Sequence, residues 1–328
     1  MTRLTCESDG GRPTLSDPEL FERHPSNPIL TARDWPYTVN AVFNPAVAHL
    51  DGETLLLARV EDRSGISHLC VARSRDGVSH WVVEPERRLL PDLASEAERY
   101  GIEDPRVTIC GDEHMIVYTG YSNVGPLVRL ASTRDFREFE RHGTVMPPED
   151  KDAALFPRRF PQAGDRWALI HRPVSTLPRP GAQIWLSWSP DLHHWGDHTV
   201  LLPAREGGWW DAHRVGLCTP PLETERGWLI LYHGVRVTTA GSIYRVGIAL
   251  LDLERPDRVL ARSDEWVLGP EAPYERAGDV PQVVFPCGWL LGDDGDTLRV
   301  YYGAADTSIC LATASLRTLL DWLERHSS

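Results

Sequence analysis

The chain has 328 residues, with 47 acidic against 34 basic side chains and a formal net charge of −13. That length admits one large β domain or two average ones, and the acidic balance argues against nucleic acid or an anionic membrane as a partner. No apolar run approaches the roughly 20 residues of a membrane span, the stretch Met1 to Gly11 is polar, and Cys6, Cys70, Cys110, Cys218, Cys287 and Cys310 form no CxxC pair, which reads as a cytoplasmic protein with reduced thiols and no metal.

Residues 1–13 are expected to be disordered. Ser16-Asp17-Pro18-Glu19 reads as a helix start, with a capping residue, proline in the first turn and an acid behind it, and that short helix would run to about His24. From Asn27 onward short apolar runs alternate with Gly, Pro, Asn and Asp, the pattern of a β protein.

A proline with apolar flanks then recurs. It appears in Phe43-Asn44-Pro45-Ala46-Val47, Glu103-Asp104-Pro105-Arg106-Val107, Leu155-Phe156-Pro157-Arg158, Cys218-Thr219-Pro220-Pro221-Leu222 and Val284-Phe285-Pro286-Cys287. A second strand ending in polar groups follows each one, and then a third strand that often meets a sharp Asp turn, as at Asp76, Asp135, Asp191 and Asp252. Trp81, Phe139 and Trp195 mark a further strand in the first three units, where they serve as packing residues. Five such units predict an all-β, five-bladed β-propeller, a single domain over residues 1–328 with short N-terminal and C-terminal helices. Ser315 to Arg325, apolar at 316, 319, 320 and 323, supplies the C-terminal helix over 315–326; its apolar face packs on the propeller or, alternatively, on a second copy in a homo-oligomer.

Radial repetition brings equivalent strand ends to one central funnel. Asn44, Arg59, Asp104, His171, Arg172, His233 and Asp306 would converge there although they are far apart in the chain. Asp104 taken alone reads first as a turn acid paired with Arg106, and the repeat is what turns it toward a functional reading. Pro105 is expected to push Asp104 into extended geometry, so that Glu103 and Asp104 point to opposite sides. Lys151 is the single lysine among the 34 basic residues. Either coding bias left it by chance, or a compact, rotatable ammonium is needed there. Trp35, Tyr37, Tyr100, Tyr121, Trp209 and Trp210 lie in loops near these motifs and suit sugar rings or core packing. His193 and His194 have no acid partner at metal-ligand spacing.

The strings NPIL (27–30), VFNPAV (42–47), GIEDPRV (101–107), KDAALFP (151–157), HRP (171–173) and SPDLHHWG (189–196) occur in that order, followed by WWD (209–211), GWLILYHGV (227–235), GDVPQVVFPCG (278–288) and YYGAADT (301–307). Over nearly its whole length the chain thereby resembles glycoside hydrolase family 130, the mannoside phosphorylases and related β-mannosidases. The resemblance implies a five-bladed propeller acting on a small-molecule mannoside with inorganic phosphate as co-substrate and no cofactor. It implies Asp104 as the catalytic acid, its proton delivered through a sugar hydroxyl, and Arg172, His233 and Tyr244 as the phosphate site. It implies Arg59, Lys151, Asp152, Asp211, Arg214 and Asp306 around the sugar, where the repeat also places Asn44. Arg214 departs from the family, which commonly has lysine there. The region from NPIL to VFNPAV, with Asp34-Trp35-Pro36-Tyr37, resembles the subgroup acting on β-1,4-linked mannosides.

An inverting hydrolase needs an acid and a base to activate water, whereas phosphorolysis replaces the base with a cationic cradle for an anionic nucleophile. One well-placed carboxylate facing Arg172, His233 and Tyr244 favours phosphorolysis. A hydrolase with Asp211 or Asp306 as base, and a non-catalytic glycan-binding propeller, are the alternatives. For Arg172 alone a salt bridge to one of the chain's surplus acids, and for His233 alone a hydrogen-bonded core histidine, are the bland readings.

Overall fold

The computed structural model describes residues 19–175, 181–239 and 241–327. The expected disorder of residues 1–13, the helix start at Ser16-Asp17-Pro18 and Cys6 lie outside the described residues. Within them the chain is all-β with a few short helices. Ala41–Leu50, Glu53–Glu61, Ser67–Ser74 and Val82–Leu89 form one antiparallel sheet, and Ile102–Cys110, Glu113–Ser122, Gly125–Thr133 and Glu140–Met146 form a second. Val284–Leu291, Thr297–Ala304 and Ser308–Ser315 make a third, whose edge is the two-residue strand Glu22–Arg23.

The remaining strands join in one ten-stranded sheet. Asp150–Leu155, Trp167–Ser175, Ile184–Ser189 and Gly196–Leu202 make its first run, and Arg214–Leu217, Gly227–Thr238, Gly241–Leu251 and Val259–Arg262 its second, with Leu222–Thr224 paired on Gly227–Thr238. Gly181–Ala182 bridges the two by pairing with Trp167–Ser175 on one side and Arg214–Leu217 on the other.

The strands are apolar runs such as Leu55-Leu56-Leu57, buried on both faces between neighbouring sheets. The turns repeat one device. Asp76, Asp135, Asp191, Asp252 and Asp294 each accept main-chain N–H bonds two and three residues on, the Asx geometry that ends a strand sharply. Trp81 and Trp195 then donate Nε1–H to the carbonyls of Val78 and Leu192, so these tryptophans pin their turns as well as pack.

The expected N-terminal helix is not present in its described part. Glu22 and Arg23 pair instead with Thr313 and Ala312, and Arg23 Nε reaches the buried Glu275 carboxylate at 2.8 Å. An open sheet edge and a buried acid outweigh a local capping signal. At the other end Leu316–Arg325 is helical as expected, capped by Ser315 Oγ, which accepts from Thr318 N–H at 3.1 Å. Its Leu316, Leu319, Leu320, Trp322 and Leu323 join a core with Leu298, Ala312 and Ala314. No helix among the described residues is long and apolar enough to cross a membrane.

The first strands of successive runs lie against one another. Ala41–Leu50 packs on Ile102–Cys110 and on Val284–Leu291; Asp150–Leu155 packs on Ile102–Cys110 and on Arg214–Leu217. Three of them carry the same irregularity. Strand register breaks between Phe43 and Ala46, Glu103 and Arg106, and Lys151 and Ala154. Within these breaks Asn44, Asp104 and Asp152 adopt φ of 45°, 48° and 53°. Asp104 is therefore left-handed rather than extended: Pro105 disfavours only the right-handed helical region, and Asn and Asp tolerate positive φ best after glycine. Such bulges re-aim a side chain out of the sheet's alternation. Glu103 and Asp104 accordingly do not diverge, since Arg59 reaches both.

Candidate active site

The re-aimed residues meet at a cleft of about 200 Å³ lined by Asn44, Arg59, Asp104, Lys151, Asp152 and Arg172, with Arg214, His233, Tyr244 and Asp306 around them. Ten of the twelve residues expected there, all but Asp211 and His171, thus line one cleft, drawn from across the whole chain. Two glycines permit the approach: a Cβ on Gly303 would collide with Asn44, and one on Gly216 would lie 2.6 Å from Asp152 Oδ2 and 2.5 Å from His233 Cε1.

On one side sits Asp104, 4% exposed. Its Oδ1 accepts from Asn44 Nδ2 at 2.9 Å and Arg59 Nη1 at 3.1 Å; among the described residues no donor reaches Oδ2. Arg59 is braced by Glu103 at 2.9 Å and by Ser67 Oγ at 3.0 Å. Burial alone would raise the Asp104 carboxyl, but Arg59, Lys151, the Asn44 bond and Arg106 together hold it below its usual range. Asp306 moves the opposite way. Burial and the neighbouring Asp104 charge push it up to about 7, against the pull of Arg59 and Lys151.

Arg106 does not pair with the Asp104 carboxylate. It is 1% exposed and donates to the main-chain carbonyls of Asp104, Leu217 and Cys218 at 2.9, 2.9 and 2.7 Å. It thereby ties the Asp104 bulge to a strand more than a hundred residues on, and the turn-acid reading of Asp104 falls.

On the other side Arg172 donates Nε–H to Asp152 Oδ2 at 2.6 Å. Among the described residues neither Nη of Arg172 has a hydrogen-bond partner. Asp152 was expected beside the sugar; its first contacts are instead Arg172 and, at 3.6 Å, both Arg106 Nη2 and His233 Nε2. Burial alone would raise the Asp152 carboxyl, yet Arg172, His233, Lys151 and Arg106 drive it far below the usual range. His233 is 3% exposed. Burial, helped by Arg172, Arg106 and Lys151 against Asp152, pushes it down to about 3, so its imidazole is neutral at ordinary pH. Its ring lies 5.9 Å from that of Tyr244 and 4.9 Å from that of Phe285. Arg172 does pair with an acid, Asp152, and His233 is a buried histidine with Cys218 Sγ 3.8 Å from its Nδ1, as the bland readings had it, yet both also line the shared cleft.

Asp211 is the residue that does not arrive. It is fully buried, bonded by Arg262 Nη2 at 2.6 Å and Tyr232 Oη at 3.1 Å, with Arg205 at 3.5 Å. Its carboxylate pairs with the buried Arg262 and the partly buried Arg205, and it does not line the cleft. His171, expected in the funnel, is likewise buried away from it, between Asp150 and Ser187.

The loop aromatics divide. Trp35 and Trp210 are core residues, and Tyr37 bonds His68 at 2.8 Å; Tyr100, Tyr121 and Trp209 are exposed. None of the six lines the cleft. Asp34 caps Thr31, so the segment 34–37 has a structural role. His194 bonds the Asp191 turn at the surface, and among the described residues no group of three or more His, Cys, Asp or Glu could hold a metal. Sequence reasoning missed Phe285, Val235, Val280 and Val283 in the lining. Phe285 was legible, since it precedes Pro286 as Phe156 precedes Pro157; Val280 sits in a loop with no counterpart in the repeat.

Comparison with known proteins agrees with this architecture. The sequence model of glycoside hydrolase family 130, described as beta-1,4-mannooligosaccharide phosphorylase, matches residues 18–325. The beta-1,4-mannooligosaccharide phosphorylase of Ruminococcus albus is 32% identical over 319 residues, covering 94% of this chain and 92% of that protein. The beta-1,2-mannobiose phosphorylase of Listeria innocua is 39% identical over 261 residues, 80% of this chain and 70% of its own length. A solved structure of the Listeria innocua beta-1,2-mannobiose phosphorylase in complex with beta-1,2-mannobiose superposes with a TM-score of 0.84 at 32% identity, over 93% of this chain and 99% of that one. With the family model spanning almost all of its residues and the fold matching end to end, this chain belongs to glycoside hydrolase family 130.

Proposed function

We propose that the chain is an inverting phosphorylase that cleaves β-mannosides with inorganic phosphate and releases α-mannose 1-phosphate, reversibly. The observation that carries this reading is the division of the cleft: Asp104 with an unbonded Oδ2 on one side, and Arg172, His233 and Tyr244 on the other. A phosphate oxygen attacks the anomeric carbon from the face opposite the leaving group, the glycosidic bond breaks, and the leaving oxygen takes the Asp104 proton through a sugar hydroxyl. Both Nη groups of Arg172 suit two phosphate oxygens. A dianion held there offsets the field of Lys151 and Arg59, which raises the Asp104 carboxyl toward the range of a general acid. His233, down at about 3, is a poor base and serves as a neutral partner.

The relatives named above act on β-1,4- and β-1,2-linked mannosides, which supports the reaction class and leaves both linkages as substrates to try. The β-1,4 reading rested on the region from NPIL to VFNPAV with residues 34–37, and of that region Asn44 alone lines the cleft. The fold reads as one domain, a five-bladed propeller whose ten-stranded sheet holds two blades bridged by Gly181–Ala182. A charged sugar phosphate stays on its side of a membrane, which suits a cytoplasmic enzyme that needs phosphate and no added metal.

Hydrolysis is the second reading, because Asp306 at about 7 could accept a proton from water. The deciding experiment supplies β-1,4- and β-1,2-mannobiose with and without phosphate and follows mannose 1-phosphate and free mannose. Cleavage is expected only with phosphate. Equal rates without it would make the enzyme a hydrolase, and no turnover in either condition would favour a binding module.

A further inference from the structure

We propose that Asp150 and His171 are positioning residues for Arg172, the inner end of a hydrogen-bond chain that runs from the surface through His198 and Ser187. The proposal rests on the reading of Arg172 as a phosphate ligand. Asp150 Oδ1 accepts the main-chain N–H of Arg172 at 3.0 Å. Its Oδ2 lies 2.6 Å from His171 Nδ1. His171 Nε2 lies 2.7 Å from Ser187 Oγ, and that oxygen lies 2.6 Å from His198 Nδ1.

One assignment of protons satisfies every member. His198 Nδ1–H donates to Ser187, Ser187 Oγ–H donates to His171 Nε2, and His171 Nδ1–H donates to the Asp150 carboxylate. All donors then point inward and end on the acid that holds Arg172. Asp150 and His171 are each 3% exposed and Ser187 is fully buried, whereas His198 is exposed.

The arrangement has the order of an Asp–His–Ser nucleophile system, but Ser187 has no exposure and does not line the cleft, so it meets no substrate. What the chain does touch is Arg172. Asp150 and Asp152 flank Lys151 on one strand and hold Arg172 at two points, its main-chain N–H and its Nε. That double grip fixes Arg172 where it lines the cleft, with Nε held by Asp152 and its two Nη groups left without a hydrogen bond among the described residues. Burial pushes the Asp150 carboxyl up and His171 pulls it back. Without His171 the acid would be a buried group short of a partner, and its hold on Arg172 would loosen.

The test is steady-state phosphorolysis of a β-mannoside, together with calorimetric titration of inorganic phosphate into each variant. Asp150→Ala and His171→Phe should raise the phosphate KM and the phosphate Kd about tenfold or more. The mannoside KM, and kcat at saturating phosphate, should stay within about twofold. His171→Asn, whose amide can still donate to Asp150, should recover most of the loss. If His171→Phe fails to fold, Ser187→Ala decides, with a rise of about threefold in phosphate KM expected. An unchanged phosphate KM in the folded variants, or an equal rise in both KM values, overturns the positioning role. Arg172→Ala separates the two readings. If it raises the phosphate KM while Asp150→Ala does not, only the positioning proposal fails; if it leaves phosphate binding intact, the phosphate reading fails and the proposal with it.

Discussion

The inner strands have two unlike ends. At one, Asn44, Asp104 and Asp152 bulge out of register and turn polar groups into the cleft, with Asp306 beside them. At the other, Val47, Val107, Ile109, Pro157 and Leu222 line a hollow that is mostly apolar. The same strands build both, a few residues apart. The apolar end follows ordinary strand alternation and needs nothing but turns and packing. The polar end needs left-handed residues, glycines that let side chains meet, and a buried arginine, Arg106, tying separate strands together. The polar cleft lies where regular pairing is broken, and the strain of its left-handed residues is borne by the regular remainder.

The comparison is broken most severely by Asp104→Asn. The amide keeps the bonds from Asn44 and Arg59 within reach but cannot supply a proton, so turnover should fall roughly 100- to 10,000-fold while the melting temperature holds. Retention of more than about a tenth of wild-type turnover would remove Asp104 as the acid. Next comes Lys151→Arg. This side chain acts on Asp104, Asp152, His233 and Asp306 at once, and a planar fork cannot reproduce a point charge at their midst. A loss in kcat/KM of about tenfold, or about 1.4 kcal/mol, is expected; wild-type kinetics would make the lone lysine incidental.

Asp306→Asn sharpens the comparison through pH. The Asp306 carboxyl is raised from 3.8 to about 7 in the folded chain, so folding binds a proton that the unfolded chain releases. Its contribution to stability is fully present below pH 3.8 and is lost as pH rises through about 7. Wild type should therefore lose stability relative to Asp306→Asn across that window, by at most about 1.4 kcal/mol per pH unit. Parallel denaturation curves for the two proteins at low and neutral pH would contradict the raised value. The smallest effect belongs to the opposite end. Ile109 is 51% exposed, and Ile109→Ser should change stability by no more than about 0.5 kcal/mol and leave kcat and both KM values alone. A clear kinetic effect there would show that the two ends are coupled.

The repeated proline strings and the Asp turns were legible because each is a local signal that recurs once per unit, and recurrence made the convergence of Asn44, Arg59, Asp104, His233 and Asp306 readable before any contact was known. The chain's own chemistry therefore determined its all-β class, the C-terminal helix and the convergence of those five with Arg172, while Lys151, Asp152, Arg214 and Tyr244 came from the family resemblance. Tertiary structure alone decided the rest. Asp211 looks like a site acid beside two tryptophans, but Arg262, 51 residues on, claims it. The start Ser16-Asp17-Pro18 signals a helix, yet Glu22 and Arg23 are captured by a sheet edge built almost three hundred residues later. Pro105 predicted extended geometry for Asp104, while the bulge against Glu113–Ser122 holds it left-handed. Asp150 carried no motif of its own and His171 was expected in the funnel, whereas their hydrogen bonds run to Arg172, Ser187 and, through it, His198. In each case the deciding partner is distant in the chain, and local sequence encodes conformational preference but not which buried charge or open edge will be near when the chain has folded.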